Sequence, residues 1–366
     1  MSKIAVIGAG KTGRGFIGRL LAEDGCDFLL VDKNAELVKI LNEKKSFQVN
    51  FFGNQRKPQT VTNYRAVTWE EADLSDVELI FVSVGGTNLK DVGVSLKKWC
   101  ADGRKRYIIT GENATNPAKT VLAAIGKANV AAAEATVFCT TIEDGELDIS
   151  SENYPYLQCD AKPLDGYVPA VTGVKPVDDF GNFLTRKLFT YNAASCVIAY
   201  LGFIKGYTDY GDAANDPEIL ELLDRNYAAT NEVLCKEFGY TKEDQEEFAL
   251  LSRKKFCDRT IIDTVARNAR EPQRKMKAGE RIMGPLVLLD RYGADTSVLI
   301  KTAAAMLLYR NEEEEQWQEI TDTHTPAQIL DEIGGLPKGS GLSEAILKEC
   351  AELQKLLVTE SFADRA

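Results

Sequence analysis

The chain has 366 residues, with 44 lysines and arginines against 55 aspartates and glutamates and a formal net charge of −11. This length predicts about two domains, each large enough to bury a hydrophobic core. The acidic balance argues against a nucleic-acid-binding protein, which needs a basic face to displace counterions.

The 8 cysteines include no C-x-x-C pair, and the chain has 1 histidine, His324. The pattern argues against a disulfide framework or a zinc site and excludes any metal site with two histidines, so we expect no bound metal.

Neither a secretion signal nor a membrane span is predicted. Lys3 is followed by only four apolar residues, Ile4–Ile7, before the first glycine, too few for the apolar core of a signal peptide. The longest apolar stretch, around residues 197–204, is far shorter than the ~20 residues that cross a bilayer. We therefore expect a cytoplasmic protein whose partners are small molecules, with an oligomeric state that the sequence leaves open.

The N-terminal segment predicts a strand, a glycine-rich turn and a helix. Ile4–Ile7 is an apolar run typical of a strand buried in a parallel sheet. It leads into Gly8-Ala9-Gly10-Lys11-Thr12-Gly13, after which apolar residues recur at helical spacing. In this context the G-x-G-x-x-G motif predicts a dinucleotide-binding turn. Gly8 would permit the tight turn, Gly10 would let the backbone approach a pyrophosphate, and Gly13 would let helix and strand pack closely. Lys11 and Thr12 belong to the predicted cofactor site, since the helix start presents free N–H groups to phosphates.

A second predicted strand, residues 27–31, ends at Asp32, which follows Gly13 at the distance expected for a ribose-binding acid. An acid at this place can bind the ribose 2′-hydroxyl and repels a 2′-phosphate, which favours NAD over NADP. Lys33 follows directly and softens this preference. The alternative is a glycine turn with an incidental aspartate.

Strands continue to alternate with helices. Residues 77–84 and 106–110 are predicted strands, which end at Gly85-Gly86 and at Gly111-Glu112-Asn113. This alternation predicts an α/β fold with a doubly wound, Rossmann-type parallel sheet that binds its ligand at the carboxyl ends of the strands. Gly85, Gly86 and Asn113 fall on that edge and are predicted to contact the cofactor. Further along, we expect a helix over residues 118–133, a strand over 136–141, and a connector with short strands over 143–179.

From about residue 179 the pattern changes to long helices. The first of them is apolar on nearly every side between Phe180 and Leu201, as is typical of a core helix. Five more helical stretches are predicted over residues 219–238, 242–256, 286–292, 298–309 and 343–357. We therefore predict a dinucleotide-binding domain with its connector over residues 1–178 and a mostly α-helical substrate and catalytic domain over residues 179–366.

The predicted core helix carries three polar residues. At 100° per residue, Asn192 and Ser195 lie about 140° and about 80° from Lys187, so one broad face can present all three to a cleft. Apolar surroundings lower the pKa of a lysine, which lets the neutral amine act as a base. Asn192 can donate to an oxygen that becomes an alkoxide. The alternative is a lysine that extends to solvent from a helix end and an asparagine that caps the backbone.

These residues resemble the polyol-specific long-chain dehydrogenases, the mannitol dehydrogenase family, and among them most closely the mannitol-1-phosphate 5-dehydrogenases. The resemblance covers most of the chain. It rests on Gly8-Ala9-Gly10 with residues 14–18, Gly111-Glu112-Asn113, residues 186–190 with Asn192, residues 199–202, Arg274-Lys275 with residues 279–281, Pro285-Leu286 and the alanine-rich residues 303–310.

The resemblance implies roles for individual residues through the family signature K-x-x-x-x-N-x-x-H. Lys187 is implied to be the general base in alcohol oxidation and the acid in ketone reduction. Asn113 and Asn192 are implied to hold the reacting oxygen in an interdomain cleft. The cofactor implied by the fold and by Asp32 is NAD.

The sequence departs from the family at three places. Ser195 stands at the signature histidine; its hydroxyl can form hydrogen bonds but is shorter and does not titrate near neutrality. Residues 139–143 lack the arginine of the family's Asp-Arg-x-x-Pro stretch. Gly284 precedes Pro285 where the sugar-phosphate branch commonly has a lysine.

We therefore predict NAD-dependent interconversion of a polyol, such as mannitol 1-phosphate, and its ketose, with Lys187, Asn192, Asn113 and Ser195 as the catalytic set. Arg274, Lys275 and Arg281 are candidates for binding a substrate phosphate, because guanidinium groups match phosphate oxygens; the alternative is a solvated basic patch. Two other functions stay open: a reductase of keto sugar acids of the hexuronate type, and an NAD-binding sensor that has lost catalysis.

Overall fold

The structure is a computed structural model that describes residues 3–112, 114 and 116–363, with side chains as far as residue 356. The chain divides into two compact units, Met1–Phe183 and Leu184–Ala366. We call them unit 1 and unit 2. The boundary predicted from the sequence, between residues 178 and 179, lies a few residues earlier.

Unit 1 is built on β-strands. Its described part contains β1 (Ile4–Ile7), β2 (Phe28–Val31), β3 (Phe47–Phe51), β4 (Gln59–Val61), β5 (Tyr64–Val67), β6 (Leu79–Val82), β7 (Arg106–Gly111), β8 (Val130–Thr136), β9 (Thr141–Asp144), β10 (Asp148–Ser151), β11 (Leu157–Asp160) and β12 (Val174–Val177). Eight of them form one sheet in the order β12-β11-β8-β7-β6-β1-β2-β5. Neighbouring strands in this sheet run parallel except β11, which is antiparallel to β8. The smaller sheet has the order β4-β3-β10-β9.

Helices cover both faces of the large sheet. They are α1 (Arg19–Glu23), which continues the helix that starts after the glycine-rich turn, α2 (Ala35–Lys44), α3 (Leu89–Cys100) and α4 (Pro117–Ile125). Successive side chains of β1 point to opposite faces of the large sheet, so they belong to two different hydrophobic cores. Val6 packs with Phe16 on one face, while Ala5 and Ile7 pack with the apolar side of α3 on the other. The predicted doubly wound sheet is thereby confirmed.

Two predicted elements in unit 1 are wrong. The alanine-rich stretch was expected to be helical over residues 118–133 and to be followed by a strand over 136–141. Instead α4 ends before Gly126, whose φ of 83° favours glycine, and the remaining alanines belong to β8. Burial between β7 and β11 outweighs the helical preference of alanine there. Strands β3, β4 and β5 were not predicted from the sequence.

From Phe180 onward the described chain is helical. The helices are α5 (Phe180–Lys187), α6 (Ala193–Ile204), α7 (Tyr210–Ala214), α8 (Pro217–Phe238), α9 (Lys242–Phe256), α10 (Val265–Ala269), α11 (Pro272–Lys275), α12 (Met283–Arg291), α13 (Ser297–Leu308), α14 (Glu315–Thr323), α15 (Pro326–Glu332) and α16 (Gly341–Ala363). The five helical stretches predicted after the core helix correspond to α8, α9, α12, α13 and α16. A single hydrophobic core surrounds α6.

Helices α5 and α6 form one continuous helix, Phe180–Ile204, because the residues between them, Leu188–Asn192, make a wider π-helical turn. In the described part of the chain this is the only helix long and apolar enough to cross a membrane. The apolar stretch noted in the sequence, residues 197–204, is only the last third of this helix. Since 67% of its most apolar window is buried inside the protein, it has the surroundings of a core helix.

Candidate active site

The three glycines of the turn after β1 have different surroundings. Gly8 has a φ of 98°, and a Cβ on it would lie 2.0 Å from the carbonyl oxygen of Ser83. A Cβ on Gly13 would lie 1.9 Å from the carbonyl oxygen of Gly8, whereas a Cβ on Gly10 would meet nothing within 4 Å. The turn is therefore closely packed at its two ends and open in its middle. A backbone that receives a pyrophosphate needs this arrangement.

The helix that follows starts at Lys11, so the backbone N–H groups of its first turn have no partner within the helix. Lys11 is exposed and Thr12 is partly exposed, which leaves this turn accessible. A helix start with free N–H groups next to the open side of Gly10 suits an anionic group. Lys11 and Thr12 thus lie where the sequence analysis predicts them.

Asp32 connects the glycine-rich turn to the end of β2. Its Oδ2 accepts a hydrogen bond from the Ala9 N–H at 2.7 Å, and its Oδ1 accepts one from the Asn34 N–H at 2.8 Å. The carboxylate borders a cavity of about 370 Å³ that is also lined by Gly8, Gly10 and Lys33. Each oxygen keeps a further lone pair, so Asp32 can accept hydrogen bonds from ribose hydroxyls. The open turn and this cavity fit a dinucleotide.

Gly85 and Gly86 follow β6 at the same edge of the sheet. Gly85 has a φ of 84° and donates its N–H to Glu112 Oε1 at 2.9 Å, an oxygen that also accepts from the Val84 N–H. Burial raises the pKa of the Glu112 carboxyl, and the two backbone donors oppose that rise. Glu112 thus holds the Gly85 loop in place. This role of Glu112 was not predicted from the sequence, although Glu112 lies between Gly111 and Asn113. Asn113 itself lies outside the described residues, so its predicted role stays a prediction.

In unit 2 the predicted polar residues form a narrow stripe. Every α6 residue from Ala193 to Gly202 is buried except Ser195, which is partly exposed like Lys187 and Asn192. The π-helical turn adds one residue between Lys187 and Ser195, which delays the rotation of the helix by about 100°. Ser195 therefore lies within about 20° of Lys187 rather than about 80° away. The angles expected from a regular α-helix were wrong, and the three residues lie closer to one line.

Lys187 has the electrostatic surroundings of a base. Burial lowers the pKa of its ammonium to about 8, and the positive charges of Lys255 and Arg281 act in the same direction. At pH 8 about half of the side chains are therefore neutral. Asn192 is next along the stripe, and its side-chain amide makes no hydrogen bond within the described part of the chain. The prediction of a desolvated lysine agrees with these surroundings.

Ser195 is held by two residues that the sequence analysis missed. The Tyr210 hydroxyl and Asn268 Oδ1 each lie 3.3 Å from Ser195 Oγ. Tyr210 is buried, and Asn268 also receives a hydrogen bond on its backbone carbonyl from Lys275 Nζ. Both residues belong to short helices, α7 and α10, that carry no recognisable motif. Their proximity to Ser195 arises only in the tertiary structure.

The three basic candidates for phosphate binding differ in availability. Arg274 is paired with Glu271 through Nε at 3.2 Å and Nη2 at 2.8 Å. Lys275 is 4% exposed and donates to the Asn268 carbonyl, so the alternative of a solvated basic patch is wrong for it. The Arg281 side chain is 14% exposed and uses only Nε, at 3.2 Å from Glu280 Oε2. Its two terminal nitrogens have no partner among the described residues, so the Arg281 guanidinium group has donors left for a further hydrogen bond.

Gly284, where the sugar-phosphate branch commonly has a lysine, has no room for a side chain. A Cβ there would lie 2.6 Å from ring atoms of Phe189 and 2.6 Å from the carbonyl oxygen of Gly279. Phe189 occupies the space that a lysine stem would need. Across residues 3–112, 114 and 116–363, no group of three acidic, cysteine or histidine side chains could hold a metal ion.

Comparison with known proteins assigns the chain to a family. A family model described as the mannitol dehydrogenase C-terminal domain matches residues 179–364, slightly more than half of the chain. The chain belongs to the mannitol dehydrogenase family. A second family model, described as ketopantoate reductase PanE/ApbA, matches residues 4–159, the part that contains the glycine-rich turn and Asp32.

Solved structures of two dehydrogenases have the fold of this mannitol dehydrogenase family member over nearly the whole chain. The ternary complex of Pseudomonas fluorescens mannitol 2-dehydrogenase with NAD and D-mannitol is 14% identical, with a TM-score of 0.67 over 99% of this chain and 94% of that chain. A D-sorbitol dehydrogenase in substrate-free form is 15% identical, with a TM-score of 0.77 over 97% of this chain and 94% of that chain. At these identities the likeness shows the fold alone, and it confirms the predicted α/β domain with a helical C-terminal domain.

This family member is an NAD-dependent oxidoreductase that acts on a secondary alcohol. Membership confirms the enzyme class and the cofactor predicted from the sequence.

Proposed function

We propose that this member of the mannitol dehydrogenase family interconverts a polyol phosphate and the corresponding ketose phosphate, with Lys187 as general base and acid. The observation that carries the proposal is the position of Lys187 on one stripe with Asn192 and Ser195, with a pKa lowered to about 8. An amine with this pKa is about half neutral near pH 8, and its neutral form can take a proton from a hydroxyl group and return it in the reverse reaction. NAD, when bound, would supply the acceptor for the hydride of the carbon that carries this hydroxyl group.

The proton transfer follows from the surroundings of Lys187. In oxidation its neutral Nζ accepts the proton of the reacting hydroxyl while the Asn192 amide donates to the same oxygen. Burial, and after it the charges of Lys255 and Arg281, lowers the pKa of the amine before the reaction. The same charges stabilise the negative charge that develops on the oxygen, so they favour the transition state over the ground state. Ketone reduction uses these groups in reverse, with Lys187 as the acid.

Unit 1 supplies the cofactor site in this proposal. The open backbone of Gly10 and the helix start at Lys11 and Thr12 would hold the pyrophosphate, and Asp32 would accept hydrogen bonds from a ribose. Gly85 and Gly86 would pass close to the nicotinamide half. The carboxylate of Asp32 disfavours a 2′-phosphate, in agreement with NAD as the cofactor.

Arg281 supports the choice of a phosphorylated substrate. Its two terminal nitrogens can donate to two oxygens of a phosphate, whereas Arg274 and Lys275 already have protein partners. A carboxylate fits the same guanidinium group. For this reason a keto sugar acid of the hexuronate type is the second candidate substrate class.

A panel of substrates tests the proposal. NADH absorbance follows the reaction in both directions. Oxidation with NAD is measured on D-mannitol, D-sorbitol and mannitol 1-phosphate. Reduction with NADH is measured on fructose 6-phosphate and D-fructuronate. We expect mannitol 1-phosphate and fructose 6-phosphate to be the best pair. A preference for D-fructuronate would favour the second candidate. Binding of NADH without turnover of any panel member would favour an NAD-binding sensor.

Two variants test the proposed roles of Lys187 and Arg281. Lys187→Met should lower kcat at least about a hundredfold with unchanged NADH binding, because it removes the general base. Arg281→Met should raise KM for mannitol 1-phosphate at least about tenfold and change KM for D-mannitol much less. A loss below about tenfold in Lys187→Met would contradict the assignment of the base.

A further inference from the structure

The directions of the hydrogen bonds around Ser195 follow from the groups that can only accept. The carbonyl oxygen of Thr264 lies 3.0 Å from one side-chain atom of Asn268, and that atom must be Nδ2 because a carbonyl cannot donate. The other atom, Oδ1, therefore faces Ser195. Since Oδ1 can only accept, the 3.3 Å contact uses the hydroxyl proton of Ser195.

The donation from Ser195 to Asn268 determines the direction of the hydrogen bond between Ser195 and Tyr210. With its only proton given to Asn268, Ser195 Oγ must be the acceptor in the 3.3 Å contact with the Tyr210 hydroxyl. Tyr210 is suited to donate, because burial raises its pKa well above the usual value and keeps the phenol protonated. An oxygen with two lone pairs that accepts one bond keeps one lone pair and no proton.

The free lone pair belongs to a partly exposed residue on the stripe of Lys187 and Asn192. No other hydrogen bond to Ser195 Oγ exists among the described residues. Asn268 is itself held from two sides, by the Thr264 carbonyl on its amide and by Lys275 Nζ on its backbone carbonyl. The hydroxyl of Ser195 therefore cannot easily reverse its direction.

We propose that Ser195 Oγ accepts a hydrogen bond from a substrate hydroxyl other than the reacting one, and that Tyr210 and Asn268 are positioning residues that keep Ser195 in this acceptor-only state. The proposal rests on the proposed function and deepens it. The oxygens of a carboxylate or of a doubly ionised phosphate have no proton to donate and are therefore excluded from the place next to Ser195. The anionic end of the substrate is directed to Arg281, so the pair Ser195 and Arg281 sets the direction in which the polyol chain binds.

The test uses mannitol 1-phosphate and monodeoxy derivatives that each lack one hydroxyl other than the oxidised one. We expect the wild-type enzyme to discriminate against one derivative by about tenfold in kcat/KM, the value of one good neutral hydrogen bond. Ser195→Ala should lower kcat/KM for mannitol 1-phosphate by the same factor and leave that derivative unchanged, so that the discrimination disappears. Discrimination against the other derivatives should persist.

Tyr210→Phe separates positioning from a purely structural role. It should reduce the discrimination at the same hydroxyl about threefold, because Ser195 loses one of its two fixed partners. Tyr227→Phe is the matched control, since the Tyr227 hydroxyl is also buried and pairs with a serine, Ser252, at 2.6 Å. We expect it to lower the Tm to a similar extent and to leave every kcat/KM ratio unchanged.

Failure of this proposal is distinguishable from failure of the proposed function. If the wild-type enzyme oxidises none of the substrates, the proposed function is contradicted, and the role of Ser195 with it. If mannitol 1-phosphate is oxidised but Ser195→Ala keeps the wild-type discrimination, only the assignment of Ser195 is overturned. The positioning role is overturned if Tyr210→Phe and Tyr227→Phe give the same ratios.

Discussion

At the scale of single residues, the pKa of Lys187 determines how activity depends on pH. The lysine must be neutral to accept a proton, so kcat/KM for alcohol oxidation should rise with pH through about 8 and level off above it. Ketone reduction needs the protonated lysine and should fall above the same pH. Initial rates in both directions between pH 6 and about 10 measure the two profiles.

Lys255→Met tests the cause of this pKa. Removing a positive charge near Lys187 raises its pKa, so the oxidation profile should move to higher pH by about half a unit. Lys254→Met is the control, because Lys254 is an exposed neighbour that does not affect the pKa of Lys187. Equal profiles for the two variants would show that Lys255 does not contribute to the lowered pKa of Lys187.

Ser195 also shows the limit of sequence reasoning at this scale. Its position on the core helix follows from the signature spacing, and so does its substitution for a histidine. Its partners could not be predicted, because Tyr210 and Asn268 are 15 and 73 positions away and neither belongs to a motif. Contacts of this kind depend on how α6, α7 and α10 pack.

At the scale of elements, substitutions in the glycine-rich turn should affect NADH binding and protein stability separately. Gly10→Ala adds a methyl group into open space, so the free energy of unfolding should change by less than about 0.5 kcal/mol. The same methyl group would stand where a pyrophosphate approaches the backbone, so NADH affinity should fall at least about tenfold. Fluorescence titration with NADH and urea denaturation measure the two effects.

Gly13→Ala should instead lower the stability of the protein. Its Cβ would lie 1.9 Å from the Gly8 carbonyl oxygen, so the turn and the helix must move apart. We expect a loss of at least about 2 kcal/mol in the free energy of unfolding. A Gly13→Ala variant as stable as Gly10→Ala would contradict the close packing of helix and turn.

Elements with a clear local sequence pattern could be predicted. Elements whose conformation depends on packing against other elements could not. The segment from β1 to Asp32 combines an apolar strand, a glycine motif and a helical period, and each signal points to the same supersecondary unit. The alanines of β8 have a helical preference that burial within the sheet overrides. The π-helical turn before α6 has no sequence signature, so the angles between Lys187, Asn192 and Ser195 required the structure.

At the scale of the whole molecule, buried lysines link stability to pH. The pKa of Lys275 is lowered to about 8 by burial, below the value of about 10.4 for a lysine in an unfolded chain. Between these values the unfolded state binds more protons, so this lysine makes the free energy of unfolding rise with pH. Below pH 8 both states are protonated and the full cost of burying the charge is present.

Lys275→Met removes this dependence. The free energy of unfolding of the wild type minus that of the variant should increase between about pH 8 and about 10.5, by at most about 3 kcal/mol. Urea denaturation of both proteins across this range measures the difference. A difference that stays constant with pH would show that Lys275 does not lose its proton in the folded protein.

The apolar surroundings of α6 have a consequence for how this site can evolve. An amphipathic helix has only one orientation that buries its hydrophobic side, so an inserted residue would expose part of that side. From Ala193 to Gly202, helix α6 is buried at every residue except Ser195, so its apolar residues do not by themselves select one rotation. A one-residue insertion in the turn Leu188–Asn192 can therefore reorient the polar residues while the composition of the core stays the same. The number of residues in this turn therefore determines which side of α6 carries the polar residues.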